Sequence, residues 1–315
     1  MLLTSFALAV LAIVLAWPVP IMLSRAHWSA RAPATALVVW QSIALAGGLS
    51  IIGALLTYGL ASFGDSLVHG LRAFGEMLIA GTLPAGAEFS QMFALSGAIL
   101  LGTHLLLNLG LTFSRAELSR RRHRQLVELL SSPLPEKPGT RLIDHEAPVA
   151  YCLPGTTKSI TVLSAGLMSL LDADQLRAVV AHERAHATQR HHLVLLAFRA
   201  WRGSLPWFPI ATRAQDAVAV LVEMLADDQA RRVVSGKSLA RSIALVASGA
   251  AGHQGASLLD GDSALAADSP SAIARITRLV EPGPPLPLAA RALAIASAVA
   301  LLAVPTILLL EPALR

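Results

Sequence analysis

From Met1 to Ser24 the chain has no charged side chain and is dense in Leu, Ala, Val and Ile. A helix of about 20 apolar residues crosses the ~30 Å hydrocarbon core of a bilayer, so this run is a candidate span. Three more uncharged stretches follow, Ala32–Gly64, Phe89–Ser114 and Ala292–Leu310. Of the 315 residues 54% are hydrophobic and 14% charged, where a soluble domain carries about 25% charge. Much of the surface therefore faces something other than water. The first run lacks the basic start and the small-residue cleavage site of a secretory signal, which makes it a retained anchor. The single cysteine, Cys152, excludes a disulfide framework and any multi-cysteine metal cluster.

The net charge of +5 reads as topology and lipid contact, and direct nucleic-acid binding is not expected. Arg25 and Arg31 lie between the first two runs. Asp65, Glu76 and Glu88 face a single Arg72 between the second and third, and Arg115, Arg120, Arg121, Arg122 and Arg124 follow the third. Basic loops stay on the cytoplasmic side. This places residues 115–291 inside and the Asp65–Glu88 loop outside, in a multi-pass protein of the cell membrane. Residues 1–114 hold three transmembrane helices, 115–291 a cytoplasmic domain, and 292–315 the fourth span and a short tail. Within the outer loop Leu67, Val68, Leu71, Phe74, Met77 and Leu78 recur near helical spacing, as in a segment lying on the membrane surface. His104 and Asn108, one turn apart in the third span, are expected to hydrogen-bond to a neighbouring helix.

The cytoplasmic region is large enough for a core of its own. Ser131–Gly139, rich in proline, reads as a linker. Ala147–Leu153 and Lys158–Ser164 are rich in Val, Ile and Thr around Pro154-Gly155 and read as two strands with a tight loop. Asp172 caps a helix, with Gln175 in capping-box position. That helix carries His182-Glu183-Arg184-Ala185-His186. Residues four apart share a helix face, so both imidazoles reach one Zn²⁺, while Glu183 projects beside the open coordination position as general base. A hydrolytic zinc ion takes a third protein ligand, and two candidates compete. His192 has the spacing of sites that break the helix at a glycine. Gln189 stands at that point, so the helix is expected to continue and to carry His192 away. Glu223 lies on a second helix with Asp227 one turn beyond it. Glu223 is the expected third ligand and Asp227 the group that orients a histidine, whereas Asp228, Arg184, His191 and His253 read as solvated or structural.

An HExxH helix, an ExxAD helix and several spans resemble the membrane gluzincin peptidases, which include the prenyl-protein and heat-shock membrane endopeptidases. Three spans, a basic exit and a last span are most similar to the beta-lactam sensor-transducer proteases. The resemblance implies a mostly α, four-span membrane protein with a cytoplasmic α+β zincin-like protease domain between spans 3 and 4. It implies cleavage of a cytoplasmic protein, a winged-helix transcriptional repressor, in a signal-responsive pathway. It also implies a catalytic Arg275 on the segment Pro270–Leu279, stabilising the oxyanion or serving as a structural cation, and a substrate strand laid along Lys158–Ser164. Ser269 stands where relatives carry a histidine. The sensor-transducer proteins continue into an external penicillin-binding domain, and this chain is expected to lack it. A quality-control protease and a zinc-stabilised scaffold are the alternatives.

Reporter fusions test the orientation. Those after Arg124 and after Leu279 should report cytoplasm, and those within Asp65–Glu88 and after Arg315 the exterior. An exterior signal after Arg124 inverts the topology.

Overall fold

The computed structural model describes residues 1–81, 88–135, 138–153, 159–206, 209–251 and 270–314. The chain begins with α1 (Leu2–Ala16), α2 (Pro18–Ser24), α3 (Trp28–Arg31), α4 (Pro33–Gly59), α5 (Leu67–Ala80) and α6 (Phe89–Leu130). Four strands follow, β1 (Ser131–Pro133), β2 (Thr140–Ile143), β3 (Ala150–Leu153) and β4 (Ile160–Ser164). Helix then resumes as α7 (Ala165–Leu170), α8 (Ala173–Thr188), α9 (His191–Ser204), α10 (Pro209–Ala230), α11 (Gly236–Ala251), α12 (Pro270–Val280) and α13 (Leu288–Leu314). Two compact units result. One comprises Met1–Leu111, Phe198–Val218 and Leu286–Arg315, the other Thr112–Ala197 and Ala219–Pro285.

Among the described residues Leu2–Ser24, Pro33–Gly59, Phe89–Leu130 and Leu288–Leu310 are long and apolar enough to cross a membrane, and all but the part of the third beyond Leu111 belong to the first unit. They coincide with the uncharged runs of the sequence. Helices suit that setting because every backbone polar group is paired within the segment. The first is interrupted: Trp17 leaves helical geometry at φ −123°, and Pro18, which has no N–H to donate, opens α2. Contacts between the spans use small residues. A Cβ on Gly59 would fall 2.7 Å from the Cβ of Leu95, so only glycine lets α4 approach α6 this closely. Leu8, Ala54 and Leu309 pack α1, α4 and α13 together, and the buried Ser5 hydroxyl donates to the carbonyl of Ala54 at 2.9 Å. Leu3, Phe6, Phe93, Leu100, Leu106 and Leu293 are exposed, an outward surface that suits lipid.

The Asp65–Glu88 stretch contains a helix, as the spacing predicts. Ser66 caps α5 by accepting from the His69 N–H, and Gly81 ends it at φ 69°. Gly70 is the buried residue of α5, Phe74 packs edge-on to Phe63, and Val68, Leu71, Leu78 and Ile79 are exposed. At 42 residues α6 is roughly 63 Å long, about twice the hydrocarbon thickness. Beyond Ser114 it carries i,i+4 ion pairs, Arg121 with Glu117 at 2.7 Å and Arg124 with Glu128 at 3.2 Å. His104 and Asn108 find partners at the end of α9. Asn108 Nδ2 donates to the Ala200 carbonyl and the Ser204 hydroxyl, both at 2.6 Å, and His104 Nε2 lies 3.2 Å from the Ser204 carbonyl. The last carbonyls of a helix have no partner within it, and His104 stands at that of Ser204. The Phe198–Val218 turn thereby joins the unit that contains the spans.

In the second unit the strands form one sheet in the order β1-β2-β4-β3. The expected strand pair is present, with β3 and β4 antiparallel and Tyr151 opposite Val162; Pro154-Gly155 and Lys158 lie outside the described residues. Two expectations are corrected. The stretch read as a linker contains β1, which pairs with β2 because Ser131 and Ser132 face Ile143 and Leu142 in register. The β4 strand is not an edge, since β2 runs parallel along one side of it and β3 antiparallel along the other. Ladder donors and acceptors on both sides of β4 are thus spent within the sheet, and among the described residues the outer margins belong to β1 and β3.

The sheet and four helices, α7, α10, α11 and α12, pack against α8. Leu163, Leu167, Leu176, Val179 and Val246 form one apolar cluster, and Ala178, Ala230, Leu239, Ile243 and Leu279 form another. The capping box is complete: the Asp172 carboxylate accepts from the N–H groups of Asp174 and Gln175, and the Gln175 side chain accepts from the N–H of Asp172. Such a cap contributes about 1 kcal/mol and fixes where the helix starts, hence which residues face the core.

Asn108→Leu should lower stability by about 1–2 kcal/mol, the scale of an interhelical hydrogen bond in membrane proteins. Thermal unfolding in detergent reads this as a reduced midpoint. Leu107→Ala, at an exposed position of the same turn, should leave it unchanged.

Candidate metal centre

Two helical turns from two helices build the centre. On α8, His182 and His186 present their Nε2 atoms 3.1 Å apart. On α10, Glu223 places Oε2 3.3 Å from Nε2 of His182 and Oε1 3.3 Å from Nε2 of His186. The Glu223 carboxylate thus spans the two imidazoles, one oxygen toward each, and the three side chains converge on a common space. His182, His186 and Glu223 together can hold a metal ion. Two imidazoles and a carboxylate form a donor set of the hydrolytic type, which leaves one coordination position for water.

Buried charge surrounds the ligands. Asp227, one turn beyond Glu223, lies with Oδ1 3.0 Å from Nδ1 of His182. Arg275 on α12 donates from Nε and Nη2 to the two oxygens of Asp227, each at 2.8 Å, and its Nη1 reaches Oε2 of Glu223 at 2.7 Å. Only 3% of Arg275 is exposed. Removing one partner from a buried pair of this kind costs about 3–5 kcal/mol, because the other charge is left in apolar surroundings. Asp228, expected to be solvated, is half-exposed and accepts from Arg278 at 2.7 Å, a second tie between α10 and α12.

The proton affinities follow from this arrangement. Burial alone would raise the pKa of Glu223, but His182 and Arg275 outweigh it and draw it down to about 2. Burial opposes a proton on His182, yet the Asp227 and Glu223 carboxylates lift its pKa to about 9. The carboxylates therefore favour positive charge at Nε2 of His182, where a metal cation would supply it. His186 is pushed down to about 3 by burial and by its neighbour His182. Glu183 is 8% exposed. Burial pushes its pKa up to about 7, with Glu223 adding to the rise, while His182, Arg275 and a hydrogen bond from the backbone of Cys152 oppose it. Cys152 lies on β3, so the outer margin of that strand faces Glu183.

His192 stays outside the metal-ligating group, as expected, but for another reason. The helix does not continue: α8 ends at Thr188, and Arg190 takes the left-handed conformation at φ 52°. Gln189 did not need to supply the positive φ, because its neighbour does. The break brings in His191, which the sequence reading passed over as solvated or structural. It is 3% exposed, and its Nδ1 lies 3.2 Å from Nδ1 of His186. A second histidine just past an HExxH helix was the available signal, hidden by the absence of a glycine. Arg184 is exposed, as read. His253 and Ser269 lie outside the described residues.

Residues 114–214 match the family model for Peptidase family M48. The match contains both histidines and Glu183 but stops short of Glu223, whose place in the centre comes from geometry. No curated protein and no solved structure matches the chain. The family match and the His-His-Glu group together support a metallopeptidase domain.

Glu223→Ala should lose most bound metal, since two histidines alone hold a divalent ion weakly, whereas His192→Ala should retain it. Elemental analysis of the purified protein distinguishes these outcomes; the reverse pattern assigns the third ligand to His192.

Proposed function

We propose that the chain is a membrane-bound zinc metalloendopeptidase that hydrolyses peptide bonds of a cytoplasmic protein. The convergence of His182, His186 and Glu223, with the buried carboxylate of Glu183 on the adjacent helical position, carries this reading. Zinc suits a nitrogen-nitrogen-oxygen set, and when bound it polarises a carbonyl and lowers the pKa of water. Glu183 accepts the proton of the attacking water and delivers it to the leaving amine nitrogen, so one carboxylate serves both halves of the reaction. A pKa lifted toward neutrality by burial suits both directions of transfer. Asp227 and Arg275 hold His182 and Glu223 in place, and the guanidinium adds fixed positive charge near the substrate oxygen as negative charge develops there.

The substrate is taken as an extended strand. The outer margin of β3 is beside Glu183, to which the Cys152 backbone already donates, and its remaining outward backbone groups suit main-chain pairing with a peptide. This moves the docking strand from Lys158–Ser164 to Ala150–Leu153. Arginines after the third span favour a cytoplasmic domain. The likeness in span order to the sensor-transducer proteases supports a repressor as natural substrate, with the exposed face of α5 on the opposite side of the bilayer as the element that meets the stimulus. A buried general base argues against a scaffold, because a site that only binds has no use for one.

Glu183→Gln should keep its zinc and its fold while hydrolysis of an unfolded protein substrate falls by several powers of ten. Retained proteolysis removes Glu183 from the mechanism. In the parent, kcat/KM should fall as pH drops, because a protonated Glu183 accepts no proton from water. The midpoint of that limb should lie at or below about 7, since a bound dication pulls the carboxyl pKa down. A profile flat from pH 8 to pH 5 overturns the assignment.

A further inference from the structure

We propose that His191 is a positioning residue for the metal centre: its unprotonated Nδ1 accepts the Nδ1 proton of His186 and so fixes the tautomer that leaves Nε2 of His186 free to bind the ion. The inference rests on the metallopeptidase reading.

Each link in the chain of contacts determines the next. His191 Nε2 lies 2.8 Å from Oε1 of Gln189, an atom that only accepts, so Nε2 of His191 carries the hydrogen. A neutral imidazole has one N–H, which leaves Nδ1 of His191 with its lone pair. That lone pair faces Nδ1 of His186 at 3.2 Å, and the contact is a hydrogen bond when His186 is protonated at Nδ1. Nε2 of His186 is then bare, directed at the space bounded by Nε2 of His182 at 3.1 Å and Oε1 of Glu223 at 3.3 Å. The two imidazoles stand nearly perpendicular, with ring centres 4.9 Å apart and planes at 88°.

The backbone is shaped for this contact. In a continued α-helix residue 191 would lie about 140° around the axis from residue 186, away from its side chain. The break after Thr188 and the left-handed Arg190 bring the first residue of α9 back onto His186. The two ligand histidines then have similar surroundings: each directs Nε2 into the centre, and each has a buried group beside Nδ1, the Asp227 carboxylate 3.0 Å from His182 and His191 3.2 Å from His186. Such partners set the orientation and basicity of a ligand histidine, and losing one weakens metal binding by about 10–100-fold.

The experiment measures zinc affinity of the full-length, detergent-purified protein by competition with a chromophoric chelator. It compares the parent with His191→Leu, His191→Asn and Gln189→Leu. Leucine fills the space without an acceptor and should weaken zinc binding by about 10–100-fold. Asparagine can place Oδ1 where Nδ1 of His191 stands and should hold affinity within about threefold of the parent. Gln189→Leu, at an exposed position, releases the His191 tautomer and should weaken zinc by roughly two- to tenfold. The absorption of the cobalt-substituted protein should change in the leucine variant and be restored in the asparagine variant. Metal-free thermal midpoints, taken in chelator, should agree among all four proteins. Zinc affinity unchanged in His191→Leu, or equally weak in His191→Asn and His191→Leu, overturns the proposal. If the leucine variant does not fold, unchanged affinity in Gln189→Leu overturns it alone. A parent that binds no zinc overturns the metallopeptidase reading, and the inference with it.

Discussion

A carboxylate with 1% of its side chain exposed keeps its charge only with a partner, and Asp227 keeps its own through the two-pronged contact with Arg275. That pair ties α10 to α12, and its remaining reach defines the centre. Asp227 meets Nδ1 of His182 on α8, and the third arm of Arg275 meets Glu223. The candidate ligand side chains converge because three helices are locked to one buried ion pair. Buried pairs contribute little to stability compared with apolar packing of the same volume. Here the pair specifies arrangement, since the apolar clusters around α8 would tolerate small shifts that the donor atoms would not.

The unit that contains the spans follows a different economy. Its helices pack around large buried side chains, Leu8, Leu15, Trp40 and Ile43, and the close approach at Gly59 and the hydrogen bond from Ser5 fix how they meet. The polar pair on α6 belongs to this logic. Asn108 and His104 meet the carbonyl end of α9, whose first residue is His191.

Much of the candidate site was legible before any coordinates. The spacing of His182 and His186 requires a helix, Asp172 and Gln175 mark its start, and the ExxAD pattern places Glu223 and Asp227 on one face of another. The misreadings share a cause. The proline-rich stretch after Leu130 hid β1, whose three residues, Ser131–Pro133, have too little pattern to signal a strand without the pairing that β2 provides. The position of β4 within its sheet was equally hidden, because strand order is a long-range property and alternation in sequence does not encode it.

The sequence by itself determined the apolar spans, the basic exit from the third, and the ligand-bearing helices, because each is written in local periodicity or charge that neighbouring residues cannot disguise. Tertiary structure alone decided that Arg275 lies against Asp227 and Glu223, that β3 rather than β4 presents an outer margin to Glu183, and that His191 turns back onto His186. Each of these joins groups through packing, through strand order, or through one left-handed residue at Arg190 where no glycine announces the turn. Their physical basis is the mutual fit of distant elements, which no single window of sequence contains.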